Sequence, residues 1–329
     1  MDTQLANRTL SQGGVFSTAD AVACRVDANT LAALERSEEV LRIGPRAFVT
    51  ATAWQQASTP EQRHRLRATA VLRSFDGRVV ASHHSALAVH DLPFWHVDEQ
   101  TIHVARRRGT TSRRRGQLRI HEAFPRDSLV SVNGVETVCP ALAVVGTALV
   151  DGFEPGLAAA DAALHRQTTT LDELEHWVCR LPRRPGLTVA RQVLASVDPL
   201  AESVGETRTR LLLLAMADLP EVTAQFPFTD SRGRVWARAD FLVGDGLVVE
   251  FDGVKKYRAG DGANSHAAQR IVEAEKRRED RIRALGYAVV RLTWDDLTRP
   301  ALAMQRIREG LRQAELLKRV RAGAVPRPC

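Results

Sequence analysis

The segment Trp236-Ala-Arg-Ala-Asp240-Phe-Leu-Val-Gly-Asp-Gly-Leu-Val-Val-Glu250-Phe-Asp252-Gly253 decides how this chain is read. Two apolar runs flank Gly244-Asp245-Gly246, and each carries an acid where a buried strand should have none. The alternation and the glycine-bearing three-residue loop predict a hairpin over 235–243 and 247–252. With Val243 and Leu247 closing the loop, Asp240 falls opposite Glu250, their Cβ atoms roughly 4.5–5.5 Å apart. Asp252 shares that face because strand side chains repeat every second residue. Three carboxylates so placed repel one another unless a cation lies between them or one takes up a proton. A hard divalent ion, Mg²⁺ or Mn²⁺, held by carboxylates, water and substrate phosphate, suits such a patch. Metal-assisted phosphodiester hydrolysis is the chemistry expected of it.

The flanking sequence adds candidate partners. At 100° per residue, Ile271, Ala274, Arg278, Ile282 and Leu285 share one stripe of a helix near 265–285, with Glu275 at its edge and Lys276 pointing away. An inward guanidinium needs carboxylate or phosphate. Arg278 is therefore either an ion-pair partner for Glu275 or Glu250, or a stabiliser of developing negative charge. Tyr287–Thr293 is expected to run parallel to an earlier strand through a right-handed crossover. Glu206 lies four residues ahead of Arg210 on a leading helix, a spacing that favours a surface pair. Its other reading completes the acidic patch.

Asp240, Glu250-Phe-Asp252-Gly253-Val-Lys255-Lys256-Tyr257, Glu275-Lys-Arg-Arg278, and Val290-Arg291-Leu-Thr-Trp294 follow one another in the order found in a known group. Over residues 200–300 the chain resembles the very-short-patch-repair (Vsr)-like branch of the PD-(D/E)XK nuclease superfamily. The resemblance implies a restriction-endonuclease-like mixed sheet flanked by helices. It further implies metal held by Asp240 and Glu250, with Glu206 and Asp252 as further ligands or base. In that superfamily a Lys or its substitute positions the attacking water. Here Asp252 stands where that Lys is usual, and Lys256 in the following loop is the nearest replacement. The loop Val254–Asn264, with Lys255, is placed to close over a nucleic-acid backbone.

The basic residues of the chain are unevenly spread. Formal net charge is +7, and Arg106, Arg107, Arg108, Arg113, Arg114, Arg115 and Arg119 occupy 101–120 without an acid among them. These seven arginines equal the whole net charge. The two clusters, separated by Gly109-Thr-Thr-Ser112, read as a hairpin tip or mobile loop. Its field suits phosphate contact without base specificity; the plainer reading is a solvated face. Aromatic residues make up 5% of the chain, which argues against base-stacking platforms as the main binding mode. Four scattered cysteines form no CxxC pair, so neither zinc nor a disulfide framework is expected from them, and a reducing cytoplasm fits. There is no 18-residue apolar run and no secretory h-region, so no membrane association is expected.

Residues 1–52 read as a helix–turn–helix with a wing. Ser17-Thr-Ala-Asp20 is a capping-box-like start, Asp27 caps a second helix from Ala28 with Leu31 and Leu34 inward, and 39–50 forms two short strands. The second helix exposes Asn29, Thr30, Glu35 and Arg36, a face poor in positive charge, so a protein-contact module of the same shape is the other reading. Residues 53–185 alternate helix and strand: 64–73, 79–81, Ser82–Pro93, 101–105, 118–121, a hairpin at Asn133-Gly134, then helices near 140–151, 155–165 and 171–179. His83, His84, His90, His96, His103 and His121 lack an HExxH-like arrangement and read as hydrogen-bonded or surface residues. Ser82-His83-x-Ser85-Ala86-x-x-x-x-His90-x-Leu92 and the Asp161-Ala-Ala-Leu164 helix, together with the N-terminal motif, resemble the AbiEi-type antitoxin family over residues 10–180. Members of that family bind DNA as autorepressors and neutralise a cognate toxin. Pro182-Arg-Arg-Pro185-Gly186 marks a turn or boundary, Leu187–Ser196 a short helix beside the C-terminal domain, and 311–329 a helical tail that frays.

The expected protein is thus an α+β multidomain chain: a winged helix, an α/β middle domain and an endonuclease-like domain. Double-stranded DNA and a toxin protein are its expected partners. Its function is Mg-dependent endonuclease action, or antitoxin-type autoregulation on an inactive nuclease fold.

Overall fold

The computed structural model describes residues 1–181, 184–253 and 265–323, with the side chains of 265–269, 271, 272 and 321–323 outside that description. The chain is a mixed α+β protein that divides into two compact units, Met1–Pro199 and Leu200–Cys329.

The first unit begins with α1 (Thr3–Ser11), β1 (Val15–Ser17), α2 (Thr18–Ala23), α3 (Ala28–Arg36), β2 (Val40–Gly44), β3 (Ala47–Thr50) and α4 (Ala51–Gln56). The strands form a sheet in the order β1-β3-β2. Sequence reading missed α1 and β1. Ser17 and Asp20 make the reciprocal capping box, and Asp27 caps α3 by accepting from the Thr30 N–H. Phe16 and Phe48 stack at 5.1 Å in the core between sheet and helices, with Leu5, Leu31 and Leu34.

α5 (Pro60–Ser74) packs against all three of these strands and also against the next sheet, so residues 53–185 are continuous with the N-terminal segment. There follow β4 (Val79–Ala81), α6 (His83–Val89), β5 (Ile102–Arg106), β6 (Arg113–Arg115), β7 (Leu118–His121), β8 (Leu129–Val132) and β9 (Val135–Val138). The sheet order is β6-β7-β5-β4-β9-β8. β5 and β7 are parallel neighbours and β6 runs antiparallel along the outer edge of β7. Arg113–Arg115 are therefore an edge strand hairpinned to β7, while Arg106 ends β5 and Arg107 and Arg108 lie in the link between. Two-residue connection chemistry holds where glycine permits it: Asn133 and Gly134 both take positive φ between β8 and β9, as a type I′ turn requires. α7 (Pro140–Asp151), α8 (Phe153–His165), α9 (Leu171–Arg180) and α10 (Leu187–Leu194) close the unit. α10 packs on α7, α8 and α9, so it belongs here and not with the C-terminal domain.

The second unit comprises α11 (Val204–Leu214), β10 (Val222–Thr229), β11 (Val235–Val243), β12 (Leu247–Phe251), α12 (Ser265–Ala284), β13 (Ala288–Leu292), α13 (Trp294–Thr298) and α14 (Pro300–Gly323). The sheet order is β10-β11-β12-β13, antiparallel except for the β12–β13 pair. Val243 pairs with Leu247 and β13 lies parallel to β12, as expected; β10 was not foreseen. One face of the sheet carries Phe241, Val243, Leu247, Val249 and Leu292 against Leu213, Leu297, Ala303 and Ile307. The other carries Leu242, Val248 and Val289 against Ile282 of α12. Of the stripe expected on α12, Ile282 is buried and Arg278 half-buried, while Ala274 and Leu285 are exposed and the Ile271 side chain lies outside the described residues. α14 starts at Pro300 and buries Ala303, Ile307 and Ala314, so the helix expected from 311 begins eleven residues earlier. Residues 324–329 lie outside the description. No helix among the described residues is long and apolar enough to cross a membrane.

Gly205 sets how closely α11 approaches β12. A Cβ there would lie 1.9–2.3 Å from the Phe251 ring, which in turn meets Trp294 edge-on at 4.9 Å. Gly205→Ala is expected to destabilise the protein by roughly 1–3 kcal/mol, as overpacking does. Denaturant unfolding measures it, and an unchanged midpoint would show that Phe251 is not seated against α11.

Candidate functional site

The acidic hairpin brings its carboxylates together as the register requires. Pairs Phe241–Val249 and Leu242–Val248 extend to Asp240 beside Glu250, and pairs Ala224–Phe241 and Phe226–Ala239 put Gln225 on the other side of Asp240. Gln225 has φ of 51°, a kink in β10 level with the acid. Asp240 Oδ2 accepts from the Phe251 N–H at 2.7 Å. Glu206, 8% exposed, accepts from the Glu202 N–H, the Ser203 hydroxyl and Gln225 Nε2, all within 3.0 Å. It is a buried member of this cluster, not half of a surface pair.

Glu250 is 6% exposed and in ion-pair contact with two guanidinium groups. Arg278 reaches its Oε1 at 2.9 Å and also donates to the Arg238 carbonyl. Arg291 lies 3.5 Å from its Oε2, 3.0 Å from Glu279 and 3.8 Å from the exposed Asp252. Arg291 and Glu279 were absent from the expected site. The available signal was the parallel pairing of β13 with β12, which places Arg291 beside Glu250. Glu275 and Lys276 are exposed. Lys255, Lys256, Tyr257 and the rest of the loop Val254–Asn264 lie outside the described residues.

Burial raises the pKa of all three inner acids. Asp240 is pushed up to about 7 by burial, then by the charges of Glu206 and Glu250, against the Phe251 hydrogen bond and Arg278. Glu206 is raised by burial despite its hydrogen bonds. Glu250 is raised by burial although Arg278 and Arg291 oppose it. An open cleft of about 480 Å³ exposes Asp240, with Glu202, Gln225, Trp236, Arg238 and Arg278 around it. An oxygen-only donor set fits a hard divalent ion in kind, although Arg278 and Arg291 already meet part of its charge at Glu250. Among the described residues, however, no three ligand atoms from Glu206, Asp240, Glu250 and Asp252 lie within 4.8 Å of one another, so binding would draw them closer.

In the first unit, Arg107, Arg108 and Arg113–Arg115 are exposed and Arg106 half-exposed. Arg106 Nε donates to the Thr111 carbonyl and Arg107 pairs with Glu136. Arg114 stands directly opposite Arg119 across the β6–β7 ladder, a like-charge pairing that costs stability and favours an anion nearby. A separate cleft of about 560 Å³ is lined by Arg46, Arg67, Arg78 and Arg115 over Val71 and Phe75, with no acid in its wall.

The histidines of the first unit assemble in a way that spacing did not disclose. His64, His83, His84 and His103 are buried, and His121 is half-buried beside them. Burial holds His64 down to about 3 and His121 to about 4, and lowers His83 and His103 as well. Two sets, His83/His103/His121 and His84/His103/Asp151, bring three ligand atoms within 4.8 Å of one another. His90 donates to or accepts from nothing in this group; its Nε2 faces the Val138 carbonyl at 2.7 Å. His96 is exposed.

No family model matches the chain. It is similar to two uncharacterized proteins of Mycobacterium tuberculosis, from strains CDC 1551 / Oshkosh and ATCC 25618 / H37Rv. Each is 29% identical over 190 residues, or 57% of this chain and 66% of the relative. The chain thus spans just under two thirds of the length of these curated relatives.

The raised Asp240 pKa fixes the direction of a pH effect. A carboxyl whose folded pKa lies near 7 and whose ordinary value is 3.8 adds stability that is complete below pH 3.8 and lost as pH rises through 7. In chelator-treated protein, Asp240→Asn is expected to be more stable than the parent at pH 8, by roughly 1–3 kcal/mol at about 1.4 kcal/mol per pKa unit. The gain should shrink towards pH 5. Hydrogen exchange of β11 and β12 peptides at both pH values checks it; equal protection at pH 8 would contradict the assigned shift.

Proposed function

We propose that this protein acts on DNA and that its second unit is a divalent-metal-dependent phosphodiesterase of the Vsr-like PD-(D/E)XK type. The observation that carries the reading is the convergence of Glu206, Asp240 and Glu250 from three separate elements. Glu206 and Glu250 are buried and Asp240 half-buried, all three with raised pKa values, and Asp240 faces an open cleft. A structural role would more cheaply use apolar residues at these positions. Asp240 and Glu250 would hold Mg²⁺ or Mn²⁺, with Glu206 and Asp252 as further oxygen donors. When bound, the ion supplies an activated water and charge neutralisation at phosphate. Arg278, on the cleft wall, supplies a guanidinium for a phosphate oxygen. Arg238 offers a second cation at the same wall. In the first unit, β1–β3 with α2 and α3 support a winged-helix reading, and β6 with its exposed arginines supports sequence-independent phosphate contact.

A specific observation favours the second reading, an AbiEi-type antitoxin-like autoregulator whose nuclease fold is inactive. Arg278 and Arg291 already engage both oxygens of Glu250, and Asp252 replaces the usual lysine. In this reading Arg291 is the internal substitute for the metal, and the protein binds DNA and a cognate toxin without cutting.

Purified full-length protein incubated with supercoiled plasmid and Mg²⁺ or Mn²⁺ separates the two. Cleavage lost in both Asp240→Ala and Glu250→Ala supports the nuclease. Binding that falls steeply with salt, without cleavage, selects the regulator. Absence of duplex binding at low salt overturns both readings. Replacing Arg113, Arg114 and Arg115 with Ala is expected to flatten the slope of log affinity against log salt by up to about 3, one unit per lost phosphate contact. An unaltered slope would exclude β6 from the interface.

A further inference from the structure

The geometry points to a transition-metal site in the first unit, a Zn²⁺ centre formed by His84, His103 and Asp151. These residues come from three places: the start of α6, the start of β5 and the end of α7. Their ligand atoms lie within 4.8 Å of one another. Each then has the outer support that metal-bound imidazoles use. His84 Nε2 lies 3.0 Å from the Thr101 carbonyl oxygen. A carbonyl only accepts, so Nε2 carries the hydrogen and Nδ1 is the nitrogen left for a ligand. Nδ1 sits 2.9 Å from Asp151 Oδ2, and whatever proton holds that pair together occupies the place a cation would take. His103 Nδ1 lies 3.0 Å from His121 Nε2. With the hydrogen on His103 Nδ1, its Nε2 keeps a free lone pair. The Ser85 hydroxyl, which accepts from the His103 backbone N–H at 2.9 Å and contacts His64 Nε2 at 2.8 Å, fixes this strand against α6.

The competing set, His83, His103 and His121, is excluded by ring geometry. The rings of His83 and His121 stack at 3.8 Å with planes 27° apart. Lone pairs lie in the ring plane, so two stacked imidazoles cannot aim at one nearby ion. The rings of His84 and His103 are tilted by 54° at 4.5 Å, which lets their planes meet. Two imidazole nitrogens and one carboxylate oxygen, with no thiolate, suit Zn²⁺ with a fourth position left for water. A tetrahedral ion with bonds near 2.0–2.1 Å needs its ligand atoms roughly 3.3 Å apart, so the 2.9 Å contact between His84 and Asp151 has to open only slightly. His84 and His103 are buried, whereas the Asp151 side chain is 12% exposed. Entry is therefore from the Asp151 side.

The test uses the full chain, stripped with chelator and titrated with Zn²⁺ against a chromophoric competitor, with metal content read by elemental analysis. One zinc per chain is expected in the parent and in His96→Gln. Asp151→Asn and His103→Gln should lose it, and His121→Phe, which removes only outer support, should weaken affinity about 10–100-fold. Circular dichroism checks that each variant folds. Should the ligand variants fail to fold, the Co²⁺-substituted parent decides by X-ray absorption: a nitrogen/oxygen shell with imidazole scattering supports the site. Sulfur ligation, retention of zinc in folded Asp151→Asn, or no zinc uptake by the parent would overturn it.

Discussion

Two carboxylates, Asp240 and Glu250, side by side in the central strands of a four-stranded sheet set the terms for the second unit. An ionised carboxylate buried there is costly unless paired and hydrogen-bonded. Three elements supply the compensation. β12 lends the Phe251 N–H to Asp240, α12 brings Arg278, and β13 brings Arg291 to Glu250. α11 comes close enough, through Gly205, to place Glu206 in the same group. Arg291 is shared among Glu250, Glu279 and Asp252, so one guanidinium ties strand to helix. The compensation is incomplete, and the raised pKa values of Glu206, Asp240 and Glu250 record that.

Much of this was legible where local pattern and burial agree. The Val243–Leu247 closure, the parallel β13 and the inward-turned Arg278 all follow from alternation, loop chemistry and helical spacing. β10 was hidden because Val222–Thr229 is only partly buried, and its pattern lacks the sharp alternation of its neighbour. Arg291 was hidden for another reason: its importance depends on strand pairing across a long insertion, not on its own surroundings in sequence. α14 was misread because its apolar positions Ala303, Ile307 and Ala314 are small or widely spaced, yet they pack directly on the sheet. The arginine hairpin forms between β6 and β7, while β5 and β7 are parallel, a pairing that the sequence between them does not disclose.

The first unit shows the same limit with histidine. His64, His83, His84, His103 and His121 are drawn from two helices and two strands, α5, α6, β5 and β7, and no spacing rule links them. Their assembly depends on α6 packing on the central strands β4 and β5 of the six-stranded sheet, with α7 packed on α6. His83 takes φ of 54° at the start of α6, and Gly146 on α7 leaves room for its ring, since a Cβ there would lie 3.2 Å from it. A composition count treats these residues as ordinary polar groups, whereas tertiary packing makes them a contiguous, largely buried cluster.

The two acids of the hairpin differ in a way that bears on chemistry. Glu250 is met by guanidinium groups on both oxygens, whereas Asp240 has a backbone N–H and an open cleft. Arg278 stands at the junction, bonded to Glu250 on one side and lining the cleft on the other. A phosphate entering the cleft competes with Glu250 for that guanidinium, because both are anions suited to its planar fork. Any contact it takes leaves Glu250 with more uncompensated charge, and the demand for a cation between Glu250 and Asp240 rises with it. Arg291, held also by Glu279 and Asp252, opposes that change. The charge left on Glu250 thus depends on two guanidinium groups, Arg278 at the cleft wall and Arg291 shared among three acids.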